Sequence, residues 1–455
     1  MTPNLLGIHV LGGGYGESIV LTLPNGGVGV IDCFAPRLRG ATSNERRASN
    51  PTLRFLRDTI QADRLAFLAF THPHEDHGRG LSHLLQEYRN RIEQIWVFAS
   101  FHDTVLAKYF EALMDGRRRL PMEELLQEEP GSFSREFLRT HDLISEQCDE
   151  RNRNRARIRH FQGCLPAFQI ANEPVWFIHL GPSHQLLHAY QEEVSDSTRQ
   201  ALGPDGKARK SWRPDQINHN RVSPVLVVEY GRTRVVLGGD MEAEGWSAVL
   251  EELAEPRRER VRLLCQLFKV SHHGSATGYT ASLLERHLCG GGRSRERRFA
   301  VLTPFTRNQS PLPSTEGLDH LLTRVGTLFA TNIAVAYHTS GRTQAGIALD
   351  DAIPPDWAAD IQRDPRLQGA LHPSLVQSRG GPVASVPIPG HWLSSIHDQP
   401  DRVRLIHPDS RQALVRQDLL TKAPETDCRI SLYFNAAGRE QKSLRYVGRL
   451  AGVVQ

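Results

Sequence analysis

Four side chains able to bind a metal ion fall within one short segment, residues 71–77. His72 and His74 are two positions apart, and Asp76 and His77 follow directly. On a tight loop, the first two histidines can face one cation, while the aspartate and the third histidine face a neighbouring one. Imidazole and carboxylate donors suit zinc, and manganese or iron would also accept them. The spacing therefore predicts a metal site able to activate water.

A polar surface loop is the alternative interpretation of this segment. The preceding run RLAFLAFTH, residues 64–72, is short and almost wholly apolar before its polar end. Such a run is typical of a buried strand that delivers its last residues to a site. Further strand-like runs lie at residues 95–100, 223–240 and 263–270, with helical patterns between them, and the second run is a hairpin that turns at Gly231. A buried strand that leads into four donors favours the metal site over the surface loop.

The composition is that of an ordinary globular chain. Of its 455 residues, 39% are hydrophobic and 23% are charged, with a mean hydropathy of -0.41. No apolar run reaches about 18 residues, so no transmembrane helix is expected. The amino terminus lacks the basic region and cleavage site of a signal peptide, which predicts a cytoplasmic protein with no membrane partner. Six cysteines without a CxxC pair argue against a disulfide scaffold and a thiolate zinc site.

The change in composition and hydrophobic periodicity along the chain predicts two regions. Residues 1–345 carry the strand and helix patterns, interrupted at about 101–160 by a polar, helix-favouring insertion. Residues 346–455 show weak periodicity and end in two strand-like runs. We expect this second region to be a C-terminal appendage of mixed or β character.

Five ordered motifs carry a resemblance to the metallo-β-lactamase fold superfamily, over residues of about 5–335. They are closest to the metallo-β-lactamase domain of the competence protein ComEC and to phosphorylcholine esterases. The segment at 72–77 matches HxHxDH. The other four are Gly14–Ser18 followed by a hairpin ending at Asp32, the pair Asn220 and Ser223, Asp240 with Glu242 as in GDxE, and Lys269–Ser275 as in KxxHHGS.

The resemblance implies an α/β fold, the αββα metallo-β-lactamase sandwich, with two divalent metal ions bridged by a carboxylate and a hydroxide. Zinc is the expected metal, and manganese or iron is compatible with the same donors. Asp76 and His272 are the implied catalytic residues. The implied ligands are His72, His74, Asp76, His77, Asp240 and His273. For His272, contact with the substrate and orientation of a ligand remain open alternatives.

The chain departs from the superfamily pattern at three places. Arg79 stands where the usual DHxGG has glycine, which brings an arginine near the site. Many members have a further metal-binding histidine, for which His184 is the candidate here and His179 a weaker one. The third departure is the long insertion. We expect Arg79, Asn220 and Ser223 to bind the substrate.

Basic residues suggest what that substrate is. Arginines alternate from Arg151 to Arg159, and on a strand they would form one basic face suited to a phosphate backbone. A solvated helix or loop is the alternative interpretation of this run. A second basic cluster precedes Asn220. That cluster consists of Lys207, Arg209, Lys210 and Arg213. From the arginine run, we expect Arg153, Arg155 and Arg157 to bind the substrate.

These observations predict a dinuclear metallo-hydrolase that cleaves phosphodiester bonds, with nucleic acid as substrate. One alternative is a small-molecule hydrolase of the same fold, acting on a phosphodiester, lactone or thioester. Another is a regulatory module that binds a protein partner through the insertion or the C-terminal region. The intact ligand pattern argues against the regulatory module.

Overall fold

A computed structural model of the chain describes residues 5–14, 16–36, 42–117, 133–149, 151–152, 155–164, 167–202, 209, 217–254, 262–290, 298–305, 312–325, 327–331, 429–434, 445–447 and 452–454. Its strands are β1 Leu6–Leu11, β2 Ser18–Thr22, β3 Val28–Ile31, β4 Phe67–Phe70, β5 Gln94–Phe98, β6 Arg157–Phe161, β7 Phe168–Gln169, β8 Trp176–Leu180, β9 Val225–Tyr230, β10 Thr233–Leu237, β11 Leu267–Lys269, β12 Phe299–Leu302, β13 Thr327–Ala330, β14 Arg429–Phe434, β15 Arg445–Val447 and β16 Gly452–Val454.

The α-helices are α1 Ser43–Ala48, α2 Pro51–Arg54, α3 Glu75–Gly78, α4 Leu81–Glu87, α5 Thr104–Arg117, α6 Phe133–Cys148, α7 His184–Ala201, α8 Ala243–Ala254 and α9 Thr315–Arg324. Short 3-10 or π-helical turns occupy Phe55–Ile60, His219–Val222, Ser271–Gly274 and Leu283–Leu288. Within the described ranges, no helix has the length and apolar character needed to cross a membrane.

The chain divides into two compact units. The first contains residues 1–8, 16–263 and 433–440, and the second contains 9–15, 264–432 and 441–455. The predicted boundary at residue 345 lies outside the described residues, as do Arg153, Lys207, Lys210 and Arg213.

The first unit contains a mixed sheet with the strand order β2-β3-β4-β5-β6. Strands β2 and β3 form an antiparallel hairpin, whose turn includes Gly26 with φ of 100°. Strands β3 to β6 are parallel. Parallel strands present their carboxyl ends at the same edge of a sheet, so residues that follow β3 and β4 are brought together.

A second, antiparallel set of strands in this unit runs β7-β8-β9-β10. It packs against the first sheet through aromatic rings. Phe67 of β4 stacks on Trp96 of β5 at 4.0 Å between ring centroids, and Phe177 of β8 meets both rings edge-on at 5.3 Å. The α/β class and the two-sheet sandwich predicted from the sequence are confirmed.

The insertion is helical where it is described. Helix α6 packs on the first sheet through Phe137, whose ring lies 6.4 Å from that of Phe70 and is stacked on Phe110 of α5 at 4.1 Å. The arginine-rich end of the insertion joins the sheet as β6, which pairs with β5. Of the two alternatives for the arginine run, the strand holds for residues 157–161.

The second unit contains parallel pairs β11-β12 and β12-β13, with β16 antiparallel to β13. Strands β14 and β15 pair with each other. The end of the predicted C-terminal appendage therefore contributes strands, and β16 extends the sheet of β11 to β13 because its backbone pairs with the edge of β13.

Candidate metal centre

The loop after β4 places the HxHxDH residues in the first unit. Strand β4 is buried along its length, and the chain leaves it at Thr71. His74 is extended, with φ of -98°, and immediately precedes the single turn of α3. The amide of Gly78 bonds to the carbonyl of His74 at 2.9 Å. This turn brings Asp76 and His77 back toward the residues at the end of the strand.

One group of converging donors contains His72, His74 and Asp240, whose ligand atoms lie within 4.8 Å of one another. His72 Nε2 is 3.0 Å from His74 Nδ1 and 3.7 Å from Asp240 Oδ2. His72 and Asp240 are almost fully buried. Two imidazole nitrogens directed at one small space, beside a buried carboxylate, form a donor set suited to a divalent cation.

A second group contains Asp32, His72 and His77. His77 Nδ1 is 2.7 Å from Asp32 Oδ2, and His77 Nε2 is 3.2 Å from Asp240 Oδ1. The carboxylate of Asp76 is 3.7 Å from the same Nε2. Asp240 thus directs one oxygen toward His72 and the other toward His77.

Asp240 is held in place by its own segment. It follows β10 after Gly239, which has φ of 51°. A Cβ atom at Gly239 would come within 2.7 Å of Ser223 Oγ, so glycine allows a close approach there. The amide of Asp240 donates to that oxygen at 2.9 Å. Ser223, predicted to bind substrate, is therefore buried beneath Asp240 and supports its backbone.

Asp32 organises the first loop, a role that the sequence reasoning missed. It accepts hydrogen bonds from the amide and the hydroxyl of Thr71, at 2.8 and 2.6 Å, in addition to its bond with His77. Asp32 follows β3, and β3 pairs in parallel with β4, so Ile31 lies opposite Ala69. The sequence motifs included Asp32, and this shared carboxyl edge was the signal that could have assigned its role.

Glu17 is a second buried carboxylate that the sequence reasoning did not assign. Its Oε1 lies 3.9 Å from His77 Nδ1, and its amide donates to the carbonyl of Asp76 at 3.0 Å. At Gly16, a Cβ would come within 2.6 Å of that same carbonyl. The glycine of the first motif therefore allows the chain to pass close to the Asp76 backbone.

The pKa values of His72 and His77 are shifted in opposite directions. Burial, together with the neighbouring imidazoles of His77 and His74, holds the pKa of His72 well below its usual value. Burial also lowers the pKa of His77, but the surrounding carboxylates, chiefly that of Asp240, outweigh it and raise the pKa well above its usual value. Protonated His77 would have to release its proton before binding a metal ion.

The remaining predicted residues of the first unit have diverse surroundings. Arg79 forms an ion pair with Glu75, four residues earlier in the chain. Asn220 is buried, and its backbone N–H donates to Asn218 Oδ1 at 3.1 Å. The side chain of Asn218 in turn donates to Glu242 Oε2 at 2.8 Å.

The two candidates for a further histidine ligand lie apart from these donor groups. His184 is exposed at the first residue of α7 and belongs to none of the donor groups formed by described residues. His179 is fully buried on β8, and burial, with a contribution from Arg159, lowers its pKa to about 4.

The arginines that were expected to form one basic face have different surroundings in the structure. Arg157, the first residue of β6, is exposed, as is Arg155, two residues before the strand. The guanidinium of Arg159 instead lies over the ring of Phe168, 3.8 Å from its centroid, where it forms a cation-π contact. Arg209 is exposed.

In the second unit, His272 and His273 lie on the turn after β11. Both have left-handed backbone conformations, with φ of 47° and 51°. His273 is buried, its Nδ1 is 2.7 Å from the carbonyl oxygen of Thr303, and its ring stacks on Phe305 at 5.1 Å. A donated hydrogen bond from Nδ1 fixes the tautomer that leaves Nε2 available as a ligand.

Comparison with known proteins gives only weak likenesses. No protein-family model and no curated protein matches the chain. Among solved structures, the metallo-β-lactamase fold protein YhfI from Bacillus subtilis is 11% identical, with a TM-score of 0.33, over 72% of this chain and 96% of that one. A point mutant of the CmlA beta-hydroxylase is 14% identical, with a TM-score of 0.28, over 59% of this chain. The match spans about a third of that longer protein, 36% of its length. These likenesses give no information about the chemistry of the site.

Proposed function

We propose that the chain is a metal-dependent hydrolase of the metallo-β-lactamase type that binds two divalent cations and cleaves phosphodiester bonds in nucleic acid. The position of the Asp240 carboxylate carries this proposal. Its Oδ2 lies 3.7 Å from His72 Nε2 and its Oδ1 lies 3.2 Å from His77 Nε2. A carboxylate with one oxygen toward each of two histidine groups suits a ligand shared by two cations.

The proposed ligands divide between the two cations. His72, His74 and Asp240 would hold one, and His77, Asp76 and Asp240 the other. The sequence resemblance adds His273 to the set. Bound divalent cations would lower the pKa of water to roughly 7 and polarise the scissile bond.

Hydrogen bonds orient the imidazoles of His72 and His77 so that one ring nitrogen of each faces Asp240. His77 donates Nδ1–H to Asp32, so Nε2 is directed toward Asp240. His72 Nδ1 lies 3.0 Å from the hydroxyl of Thr71, which again leaves Nε2 facing Asp240. Partners on the second ring nitrogen fix the tautomer and orientation of a metal-binding histidine. These residues would therefore preorganise the site before a cation arrives.

The exposed arginines give the proposal a test of substrate size. The loop of the site leaves β4 after Phe70, which lies opposite Val97 of β5, whereas Arg157 lies opposite Gln94, three residues earlier on that strand. Strand geometry then separates Arg157 from the loop by about 10 Å along the strands and about 10 Å across two strand spacings. A polymer can span this distance, whereas a small diester at the metal site cannot. An effect of Arg155 and Arg157 confined to long substrates would therefore indicate a polymer.

The first experiment tests the metal centre. We expect about two equivalents of metal in the purified protein by elemental analysis, in line with a dinuclear site. Asp240→Ala and Asp76→Ala should each lose metal and the hydrolysis of bis-p-nitrophenyl phosphate. The exposed Asp63→Ala serves as the control and should retain both. Unchanged metal content in both site variants would refute the proposed centre.

The second experiment tests the substrate. The metal-loaded protein should degrade single- or double-stranded DNA or RNA, and binding should weaken steeply with salt. The double variant Arg155→Ala/Arg157→Ala should bind nucleic acid less tightly, yet cleave the small diester at the wild-type rate. Arg232→Ala, at the exposed turn of the β9–β10 hairpin, is the matched control. If all nucleic acids survive with zinc and with manganese while the small diester is cleaved, the substrate is a small molecule.

A further inference from the structure

His219 is a buried histidine beside the candidate metal centre that belongs to none of the sequence motifs. It begins the 3-10 turn His219–Val222 and is only 9% exposed. Its ring meets that of His74 edge-on, with 5.3 Å between centroids and an angle of 85°. An edge-to-face contact of this kind favours one orientation of each ring.

Two helices hold His219 in place. Its Nδ1 lies 2.9 Å from the hydroxyl of Tyr190, which comes from α7. The ring of Phe110, from α5, lies nearly parallel to that of His219, at 5.9 Å between centroids and an angle of 16°. Helix α5 belongs to the insertion, so the insertion reaches His74 through this ring.

His74 is the least buried of the three histidines in its loop. It is more exposed than His72 and His77, and it lies on extended backbone before α3. Its Nδ1 faces His72 Nε2. A rigid ring packed against the His74 imidazole would restrict its orientation before a cation binds. Less conformational freedom is then lost on binding, and a preorganised ligand binds more tightly.

We propose that His219 is a positioning residue that holds the His74 imidazole in place, and that the helical insertion acts on the His72/His74 cation position through it. The proposal rests on the proposed function of the centre. The converging donor groups among the described residues include His74 and do not include His219. The role assigned to His219 is therefore contact through its ring, not ligation through its nitrogen.

The test compares two changes at position 219 by titrating the metal-free protein with cobalt(II), followed by absorbance and by competition with a chelator. His219→Ala removes the ring and should weaken the affinity of one of the two sites by about 10- to 100-fold, the usual effect of losing a residue that supports a ligand. His219→Phe keeps an aromatic edge and should stay within about threefold, because edge-to-face packing does not need the nitrogen. His188→Ala removes an exposed imidazole from α7 and is the matched control.

The outcomes separate this inference from the proposed function. If His74→Ala retains both metals, the proposed centre itself fails. If His74→Ala loses metal while His219→Ala keeps wild-type affinity, only the positioning role fails. Equal losses in His219→Phe and His219→Ala would mean that contact with an aromatic ring does not support His74, which also overturns it.

A variant in the insertion covers the case in which His219→Ala does not fold, which circular dichroism of the metal-free protein would show. Phe110→Leu retains a large apolar side chain but removes the stacked ring. It should weaken the same cation position by a smaller factor than His219→Ala and leave the other unchanged. Wild-type affinity in a folded Phe110→Leu protein would overturn the link between the insertion and the site.

Discussion

The two histidine loops of the molecule are built in different ways, although both follow a short buried strand of a parallel pair. The loop at 71–77 is arranged by side chains, because Asp32 accepts hydrogen bonds from Thr71 and His77. The loop at 271–274 is arranged by its backbone, because two successive histidines have positive φ. Removal of the Asp32 carboxylate should therefore disturb the first loop. The second loop should instead respond to substitutions that change how easily a residue adopts a positive φ.

The two loops also differ in the charge of the groups that face their histidines. Four carboxylates surround His77, those of Asp32, Asp240, Asp76 and Glu17, at distances from 2.7 to 3.9 Å. His273 Nδ1 instead faces a neutral carbonyl oxygen of Thr303. The stability of the first loop should therefore depend on protonation.

The largest effect is expected when the carboxylate of the first loop is removed. Asp32→Ala leaves the amide and hydroxyl of Thr71 and the Nδ1 of His77 without their buried acceptor, and it places alanine at φ of 57°. Breaking a buried charged pair costs about 3–5 kcal/mol. We expect a loss of this size in the free energy of unfolding of the metal-free protein, measured in urea. The protein as purified should also contain less bound metal.

A matched variant distinguishes the charge from the geometry. Asp32→Asn retains an oxygen for the Thr71 amide and tolerates the left-handed backbone, so we expect a smaller loss of about 1–3 kcal/mol. The exposed Asp63→Ala should change stability by less than about 0.5 kcal/mol. Equal stability of Asp32→Ala and wild type would show that the first loop does not depend on this side chain.

The sequence could predict the first loop because its ligands are contiguous. HxHxDH and the apolar run before it occupy residues 64–77, and local geometry is enough to bring the donors together. The role of Asp32 needed information of a different kind. It depends on the parallel register of β3 and β4, which joins residues 45 positions apart. A single sequence shows the strands but not this pairing.

Two further features show where sequence reasoning ends. The alternation of arginines was compatible with a strand and with a solvated helix or loop, and residues 157–161 form a strand. Arg159 nevertheless stacks on Phe168, because β7 of the other strand set lies beside it. His219 has no neighbouring motif, and its importance comes from contacts with α5 and α7. Both depend on packing between distant segments.

The effect of intermediate size is a dependence of the free energy of unfolding on pH. The folded pKa of His77 is raised above its usual value, so the folded state keeps a proton that the unfolded state releases near pH 6.5. The resulting stabilisation of the metal-free protein is complete below that pH, and it is lost as the pH rises through the folded pKa. The difference in unfolding free energy between wild type and His77→Asn should therefore shrink with increasing pH.

Urea unfolding at several pH values in the presence of a chelator measures this difference. His188→Asn, at an exposed position of α7, is the control and should show no such trend. Metal affinity should increase over the same range, because the cation displaces the proton of His77. A difference that grows with pH would contradict the raised pKa.

The smallest effect is expected from relief of backbone strain in the second loop. His272 is at φ of 47° and ψ of 48°, a conformation that costs a residue with a Cβ about 1–2 kcal/mol and glycine almost nothing. Glycine also gains freedom in the unfolded chain, which offsets part of that benefit. We expect His272→Gly to raise the free energy of unfolding of the metal-free protein by about 0.5–1 kcal/mol. The same change in the first loop, His74→Gly, starts from φ of -98° and has no strain to relieve, so it should lower stability. Opposite signs for the two variants in one urea series would support the contrast between the loops, and a loss of stability in both would contradict it.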